Sequence, residues 1–282
     1  MTTWLRRAGL LAGLALGAGL LWLLAVWPPP LWWRTHWPAR TAFMEMRQAA
    51  GTGPLAYEPV TLDRIPTALQ KAVTTGEDDR FWLHGGIDFV ALRHALGYRR
   101  DSFAWSSARD REDLRRVLPG AWAHRERLRG ASTITQQLAK NLYLSPSRNP
   151  LRKVKEAVTA YRLEWVLGKR RILELYLNVA ELGEGIWGVE AASRRYFDRP
   201  VSRLSTEQAA ALAATLPFPL SSNPAHRPGR MRWRQQLILR RMRGEDVVVP
   251  PAEEEAPIPV VPDGEVWRGG ERWGEVWSGG VW

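Results

Sequence analysis

The sequence predicts a mostly α-helical domain behind one N-terminal membrane-spanning helix, and three observations carry that prediction. An uncharged run rich in Leu, Ala and Gly extends from Ala8 to Trp33. Apolar residues recur at three- and four-residue spacing in Leu151 to Leu167, Ile172 to Val179 and Leu204 to Leu216, the period of one helix face. Runs that alternate apolar with polar residues, the mark of a half-buried strand, are nearly absent.

The N-terminal run exceeds the roughly 20 apolar residues that cross a bilayer. Trp22, Trp27, Trp32, Trp33 and Trp37 crowd its far end, where indole rings suit the membrane–water interface, and Pro28, Pro29 and Pro30 stop the helix there. The span therefore reads as Ala8 to about Trp27. A cleavable signal peptide has a shorter apolar region, of about 7–15 residues, and a small-x-small cleavage site; neither is found, so an uncleaved anchor is expected. Arg6 and Arg7 stand on the near side, which places the N-terminus in the cytoplasm and everything after Arg34 outside it, at the cell (inner) membrane.

Three regions follow from composition. Residues 1–33 form the cytoplasmic tip and anchor, 41–244 one helical domain, and 245–282 a tail. In the domain, Ser205 is a candidate N-cap for an Ala-rich helix that Pro217 ends. The tail is rich in Pro and Glu up to Pro262, then repeats Gly264–Gly270 (GEVWRGG) as Gly274–Gly280 (GEVWSGG). Two copies are too few for a solenoid, and without aliphatic periodicity the tail reads as disordered, its Trp residues available to a partner or a membrane interface. Lys and Arg number 40 against 29 acids, a net charge of +11, and the pI is near 10.6, so anionic partners such as pyrophosphates or lipid head groups are favoured. With no cysteine, a disulfide scaffold, a thiolate zinc site and a cysteine nucleophile are excluded.

Three segments carry chemistry. In Glu77 to Asp88 an acidic cluster is followed by Phe81, His84 and a Gly pair; three acids alone are most often a solvated helix end, but carboxylates, a titratable ring and an apolar wall at one turn make a proton-transfer site. In Gly130 to Leu142, Ser132 is a candidate N-cap; Thr133, Gln137 and Lys140 share one helical stripe with Ser132 and Gln136 beside it, while Ile134, Leu138 and Leu142 form a separate apolar face. The helix start offers free N–H groups to an anion. Lys140 to Arg171 is strongly basic, Glu156 and Glu164 being its acids. Arg152 and Glu156, four apart, face the same way and leave one carboxylate in a cationic field. A nucleic-acid or cytoplasmic-lipid patch would fit the charge but not the topology, so no nucleic acid is expected as a partner.

Glu77-Asp78-x-x-Phe81-x-x-His84-x-Gly86-x-Asp88, Gly130-x-Ser132-Thr133-Ile134-Thr135-Gln136-Gln137-Leu138-x-Lys140-Asn141-Leu142, Arg152-Lys153-x-x-Glu156, Lys169-x-x-Ile172-Leu173-Glu174-x-Tyr176-Leu177-Asn178 and Gly188-Val189-Glu190-Ala191-Ala192, in that order, resemble the motifs of the peptidoglycan glycosyltransferases (glycosyltransferase family 51) over about Val60 to Arg243. A short domain behind one anchor resembles the monofunctional biosynthetic members, and the Ser-x-x-Lys and Lys-Thr-Gly signature of an acyl-serine transpeptidase is missing. The resemblance implies a lysozyme-like fold with a membrane-apposed smaller lobe. It also implies polymerisation of lipid II into β-1,4-linked glycan with release of undecaprenyl pyrophosphate. On that basis Glu77 is the expected general base, with Asp78 and His84 supporting it and Phe81 as the wall against it. Lys140, Arg152 and Lys153 are expected to stabilise the pyrophosphate, and Ser132, Thr133, Gln136 and Gln137 to hydrogen-bond sugar and phosphate. Glu156 is the second carboxylate, an orienting group or a ligand for a divalent cation; Mg²⁺ or Mn²⁺ is compatible with the sequence but not required by it. Expected partners are lipid II, the growing glycan strand, the cytoplasmic membrane and other cell-wall synthesis proteins.

Two departures from the family pattern stand out. Thr74-Thr75-Gly76 replaces small apolar residues before Glu77, and the stretch from Gly97 to Arg129 is longer than expected. Two rival readings stay open at this level. A peptidoglycan-cleaving hydrolase of lysozyme-like fold would also use a Glu in a helical cleft, but has no use for the basic block. A membrane-tethered scaffold would leave Glu77 a surface acid.

Overall fold

The computed structural model describes residues 2–98, 102–123, 132–143 and 150–250. Gly130 of the second motif and residues 144–149 of the basic block lie outside the described residues, as do parts of the 97–129 stretch and everything after Pro250 in the tail. The protein is mostly helical, as its periodicity predicts.

Helix α1 (Thr2–Leu24) is exposed along its length, and its segment Arg7–Leu24 is long and apolar enough to cross a membrane, with mean hydropathy 1.7. It ends short of Trp27. The last ladder bond is Ala25 N to Leu21 O, because the residue before a proline is pushed out of the helical region and Pro28 to Pro30 offer no N–H. A single turn at Pro30–Arg34 then carries Trp33 inward. This corrects the expectation that all five Trp residues sit at the interface: Trp33 is buried and its Nε1 donates to Tyr143 Oη at 2.6 Å. Burial pushes the Tyr143 phenol well above its usual range, only partly offset by that bond.

Helix α2 (Ala42–Ala49) is capped by Thr41, whose Oγ1 accepts from Met44 N at 3.2 Å. Its Arg47 is buried and paired with Glu181 at 2.7 Å. Strand β1 (Ala56–Tyr57) lies parallel to β3 (Ile186–Trp187), which pairs antiparallel with β2 (Glu181–Gly183). This sheet of very short strands escapes a period-2 search because none is long enough to show alternation.

Helix α3 (Thr67–Glu77) carries the first motif at its C-terminal end. Helices α4 (Phe89–Ala95) and α5 (Ala108–Ala123) follow, so the long stretch between the first two motifs holds a helix of its own. Tyr98 Oη ties it back by donating to Asp110 Oδ1 at 3.0 Å. Then come α6 (Ile134–Tyr143), α7 (Pro150–Leu167), α8 (Lys169–Val179), α9 (Val189–Phe197), α10 (Thr206–Thr215) and α11 (Gly229–Met242).

The core gathers around α8 and α10. From Ile172 to Val179 all but Glu174 are buried in α8, and a helix apolar nearly all round belongs inside. Helix α10 begins with the expected Ser205 cap, completed as a capping box by Gln208. Its buried run Ala209 to Ala214 presents little beyond methyl groups, so α3 and α11 pack closely against it.

Asn178 shows why α8 is central to the fold. Its Oδ1 accepts from Val60 N and its Nδ2 donates to Val60 O and Glu174 O, each at 2.8 Å. Glu174 in turn accepts from Leu62 N at 2.7 Å, so the polar residues of this motif hold chain together inside the core. Gly188 sits against the same residue with φ +79, and a Cβ there would lie 2.4 Å from Asn178 O. Gly188→Ala is therefore expected to destabilise the protein by about 2–4 kcal/mol, strain and collision together. A drop in the thermal midpoint of the detergent-solubilised protein checks it, and an unchanged midpoint contradicts it.

Candidate active site

Helix α3 stops at Glu77, and the chain there sends two adjacent carboxylates in different directions. Gly76 lets α11 come close: a Cβ there would stand only 3.0 Å from Ile238 of that helix. Thr74 turns its hydroxyl back onto Gln70 O and Lys71 O. The departure from small apolar residues noted in the sequence is thus a close approach of α11 to α3.

Glu77 meets polar side chains from two other helices. Its Oε2 accepts from Gln137 Nε2 at 3.1 Å, and its Oε1 lies 3.2 Å from Arg234 Nη2. Gln137 Oε1 accepts from Tyr176 Oη at 2.8 Å. The Glu77 side chain keeps 10% of its surface and Arg234 keeps 2%, so the pair is largely shielded from water, where electrostatic attraction is strong.

Asp78 points the other way. Its Oδ2 accepts from Ile134 N at 3.0 Å, the first N–H of α6, and His84 Nε2 stands 2.9 Å from its Oδ1. A carboxylate at a helix start satisfies a free donor and suits the positive end of the dipole. Asp78 and His84 therefore bind each other and α6 rather than reaching Glu77 directly. Thr133, not Ser132, is the N-cap: Thr133 Oγ1 accepts from Gln136 N at 3.2 Å while Gln136 Oε1 accepts from Thr133 N at 3.1 Å, a reciprocal capping box. Thr133 Oγ1 also donates to Gly86 O at 2.6 Å. Gly86 has φ +91 and lies within contact of Ala160 O and Glu164 of α7, so only glycine fits this crossing. Phe81 is fully buried beneath Lys169, whose Nζ is 4.3 Å from the ring centroid.

Where the sequence suggests substrate contacts, Asp78, Phe81, His84, Thr133 and Gln136 are thus placed in the frame that holds the first motif to α6. Burial requires partners for the polar groups of Asp78, Thr133 and Gln136, while Phe81 contributes an apolar wall and His84 a bond to Asp78 through Nε2.

A second cluster sits beside the start of α6. Lys153 Nζ donates to Ser132 Oγ at 2.8 Å and to Glu156 Oε1, and Arg152 Nη1 donates to Glu156 Oε2 at 3.0 Å. Glu156 is buried, whereas Lys153 is half exposed. Lys140 is half-buried one turn beyond Gln136 on α6. Ser132, Lys153, Arg152 and Glu156 thus meet, and the Arg152–Glu156 contact is the one their four-residue spacing predicted.

The residues do not suit a divalent cation at Glu156, because both its oxygens already face a cation. Asp78, His84 and Asp88 offer ligand atoms within 4.8 Å of one another, but their carboxylate oxygens are engaged too: Asp88 Oδ1 caps α4 through Val90 N and Ala91 N, and its Oδ2 accepts from Arg80 at 3.0 Å. In this arrangement the carboxylates act as a hydrogen-bonded brace between the first motif, α4 and α6.

Sequence reasoning missed Arg234 and gave Tyr176 no role at the site. A signal for Arg234 exists: Met231, Arg234 and Ile238 fall on one stripe of α11 and are all buried, and an arginine on an apolar stripe needs a partner.

A transglycosylase family model matches residues 47–243. A protein of Bordetella avium named biosynthetic peptidoglycan transglycosylase is 38% identical over 250 residues, covering 87% of this chain and 97% of that one. Proteins of the same name from Azoarcus sp. and Thiobacillus denitrificans are each 40% identical, covering 82% and 88% of this chain and 95% and 97% of their own.

Asp78→Ala removes the acceptor of a buried N–H and the partner of His84, so it is expected to cost about 2–4 kcal/mol of stability. Thr133→Ala is expected to cost about 1 kcal/mol through the lost cap. Chemical denaturation of both variants beside wild type checks the order, and a Thr133 effect larger than the Asp78 effect contradicts it.

Proposed function

The chain belongs to the transglycosylase family and is an enzyme of peptidoglycan synthesis, and from that premise we propose that it polymerises lipid II with Glu77 as the general base. The observation that carries this reading is the pairing of a shielded carboxylate, held by Gln137 and Arg234, with a separate cationic cluster beside the start of α6. Glycosyl transfer from a lipid pyrophosphate needs both.

In this reading the acceptor sugar's 4-hydroxyl replaces the Gln137 amide at Glu77 Oε2. The hydroxyl proton passes to Glu77 as the oxygen attacks the anomeric carbon. The new C–O bond forms as the bond to pyrophosphate breaks, the electron pair leaves with undecaprenyl pyrophosphate, and the anomeric centre inverts to a β-1,4 linkage. Lys153 and Arg152, with Lys140 beside them on α6, offset the charge on the departing group. Ser132, held by Lys153, offers a hydroxyl to the same oxygens. Glu156 orients the two cations from beneath, since both its oxygens are taken by them. No step needs a metal ion, whose charge the lysine and arginine side chains supply.

The membrane setting is part of the proposal. Helix α1 crosses the cell membrane with its N-terminus in the cytoplasm, and the catalytic domain stands outside. Support comes from α7, where exposed Leu151, Val154, Tyr161 and Trp165 line one face at helical spacing. The same helix touches the anchor: Lys155 Nζ lies 4.7 Å from the Trp22 ring centroid and Arg162 Nη1 donates to Leu24 O at 2.6 Å. An apolar face continuous with a spanning helix brings the site to the depth at which a lipid-linked donor resides. The growing glycan strand, and other cell-wall synthesis proteins, are the remaining partners in this scheme.

Purified, detergent-solubilised protein incubated with labelled lipid II should give a ladder of glycan polymers on a resolving gel. Glu77→Gln should lower the rate by at least about 10³, within the range for a lost general base, and Lys153→Met by about 10² through lost charge stabilisation. Cleavage of preformed peptidoglycan without polymer would point to a hydrolase instead, and full activity of Glu77→Gln would remove the base from the scheme.

A further inference from the structure

Arg234 stands in an unusual position. It is one of several arginines on α11, yet it alone among the described arginines of that helix is buried, at 2% exposure. Its Nη2 donates to Gly76 O at 2.5 Å and meets Glu77 Oε1 at 3.2 Å, and its Nη1 donates to Pro250 O at 2.5 Å. The guanidinium is therefore anchored on two carbonyls on different sides, one from α3 and one from the segment that follows α11. Glu77 is the acid it pairs with among the described residues.

The surroundings say what this anchoring can do. Glu77 is the last residue of α3, at the negative end of the helix dipole, where a carboxylate is disfavoured. The two acids that follow it are directed elsewhere: Asp78 to His84 and Ile134 N, and Asp79 to Arg241 at 2.7 Å. From α6 the neutral Gln137, backed by Tyr176 of α8, bonds Glu77. From α11 Arg234 brings a buried cation to the same carboxylate.

We infer that Arg234 is a positioning residue: its anchored guanidinium fixes Glu77 Oε1 and keeps the carboxylate ionised, leaving Oε2 to the acceptor hydroxyl. A planar fork held on two carbonyls cannot swing with its partner, so Glu77 is restrained in direction as well as in charge. The segment ending at Pro250 takes part through its carbonyl, which joins the C-terminal edge of the domain to the base. This rests on Glu77 being the base, and the two ideas fail differently.

The experiment compares wild type, Glu77→Gln, Arg234→Gln and Arg234→Lys in the full chain, measuring kcat, KM and the pH dependence of kcat with lipid II, together with the thermal midpoint of each. Arg234→Gln should lower kcat by about 10², as expected for a reacting group displaced by an ångström, with KM within about twofold, since substrate binding does not use this residue. The acidic limb of its kcat profile should move up by about 1 pH unit or more, because a carboxylate that loses an adjacent cation protonates more readily. Arg234→Lys keeps a point charge but not the fork; it should leave the limb near wild type while lowering kcat by about tenfold. If Arg234→Gln does not fold, Arg234→Lys still decides. A wild-type kcat and profile in Arg234→Lys, or in a folded Arg234→Gln, with only the thermal midpoint lowered, would make Arg234 a structural tie and overturn the inference. Full activity in Glu77→Gln would instead strike the base assignment, whatever Arg234 does.

Discussion

Two adjacent carboxylates with opposite surroundings set up everything else in this molecule. At the end of α3 the backbone leaves the helix between Glu77 and Asp78. Asp78 turns to the first N–H of α6, while Glu77 turns to Arg234 of α11 and Gln137 of α6. Neither arrangement survives without the other. Asp78 fixes where α6 begins, and α6 then presents Gln137 to Glu77. Because a buried carboxylate must have partners, the acidic cluster itself compels three helices to converge on one point.

Helix α6 is the member that spreads this constraint. At its start, Ser132 joins the cationic cluster of α7, Thr133 and Ile134 bind the loop of the first motif, and Gln137 reaches Glu77. Its polar side was expected to be open to ligand, yet much of it is buried. Thr135 Oγ1 donates to Glu164 Oε1 at 2.6 Å, and Lys169 closes on the same carboxylate oxygen. Polar residues on this helix thus do structural work around a small opening where a few groups remain for chemistry. Networks of this kind specify one arrangement because each member left unpaired in a low-dielectric setting is costly.

The wider architecture serves the same site from a distance. Alanines of α10 let α3 and α11 close together, which brings Arg234 to Glu77. The buried amide of Asn178 holds the chain that enters α3, and Arg171 donates to Trp33 O and His36 O at 2.8 Å each, securing the segment that leaves the anchor. Arg162 and Lys155 then tie α7 to the end of α1. The apolar N-terminal helix, the cationic cluster and Glu77 are linked by a short series of packed helices, so their spacing is set by the core rather than by loops.

Much of this was legible in the sequence, and the reason is that it depends on local spacing. The spanning helix, the helical class, the Ser205 cap, the Arg152–Glu156 contact and the basic block all follow from residues within a turn or two of one another, where the helix repeat decides who meets whom. The motif residues also revealed the family. What the sequence left undecided was the job of each residue. Thr133 and Ser132 are equally good caps by type, and only the position of Gly86 and Lys153 determines that one caps while the other faces the cations. Trp33 looks like an interfacial ring until Tyr143 is placed above it. Arg234 looks like one surface arginine among several until α10, through its small side chains, lets α11 settle against α3. Those assignments join residues from about twenty to more than a hundred and fifty positions apart, and no local periodicity carries that information; it arises only when the buried polar groups of the whole core have to find partners together.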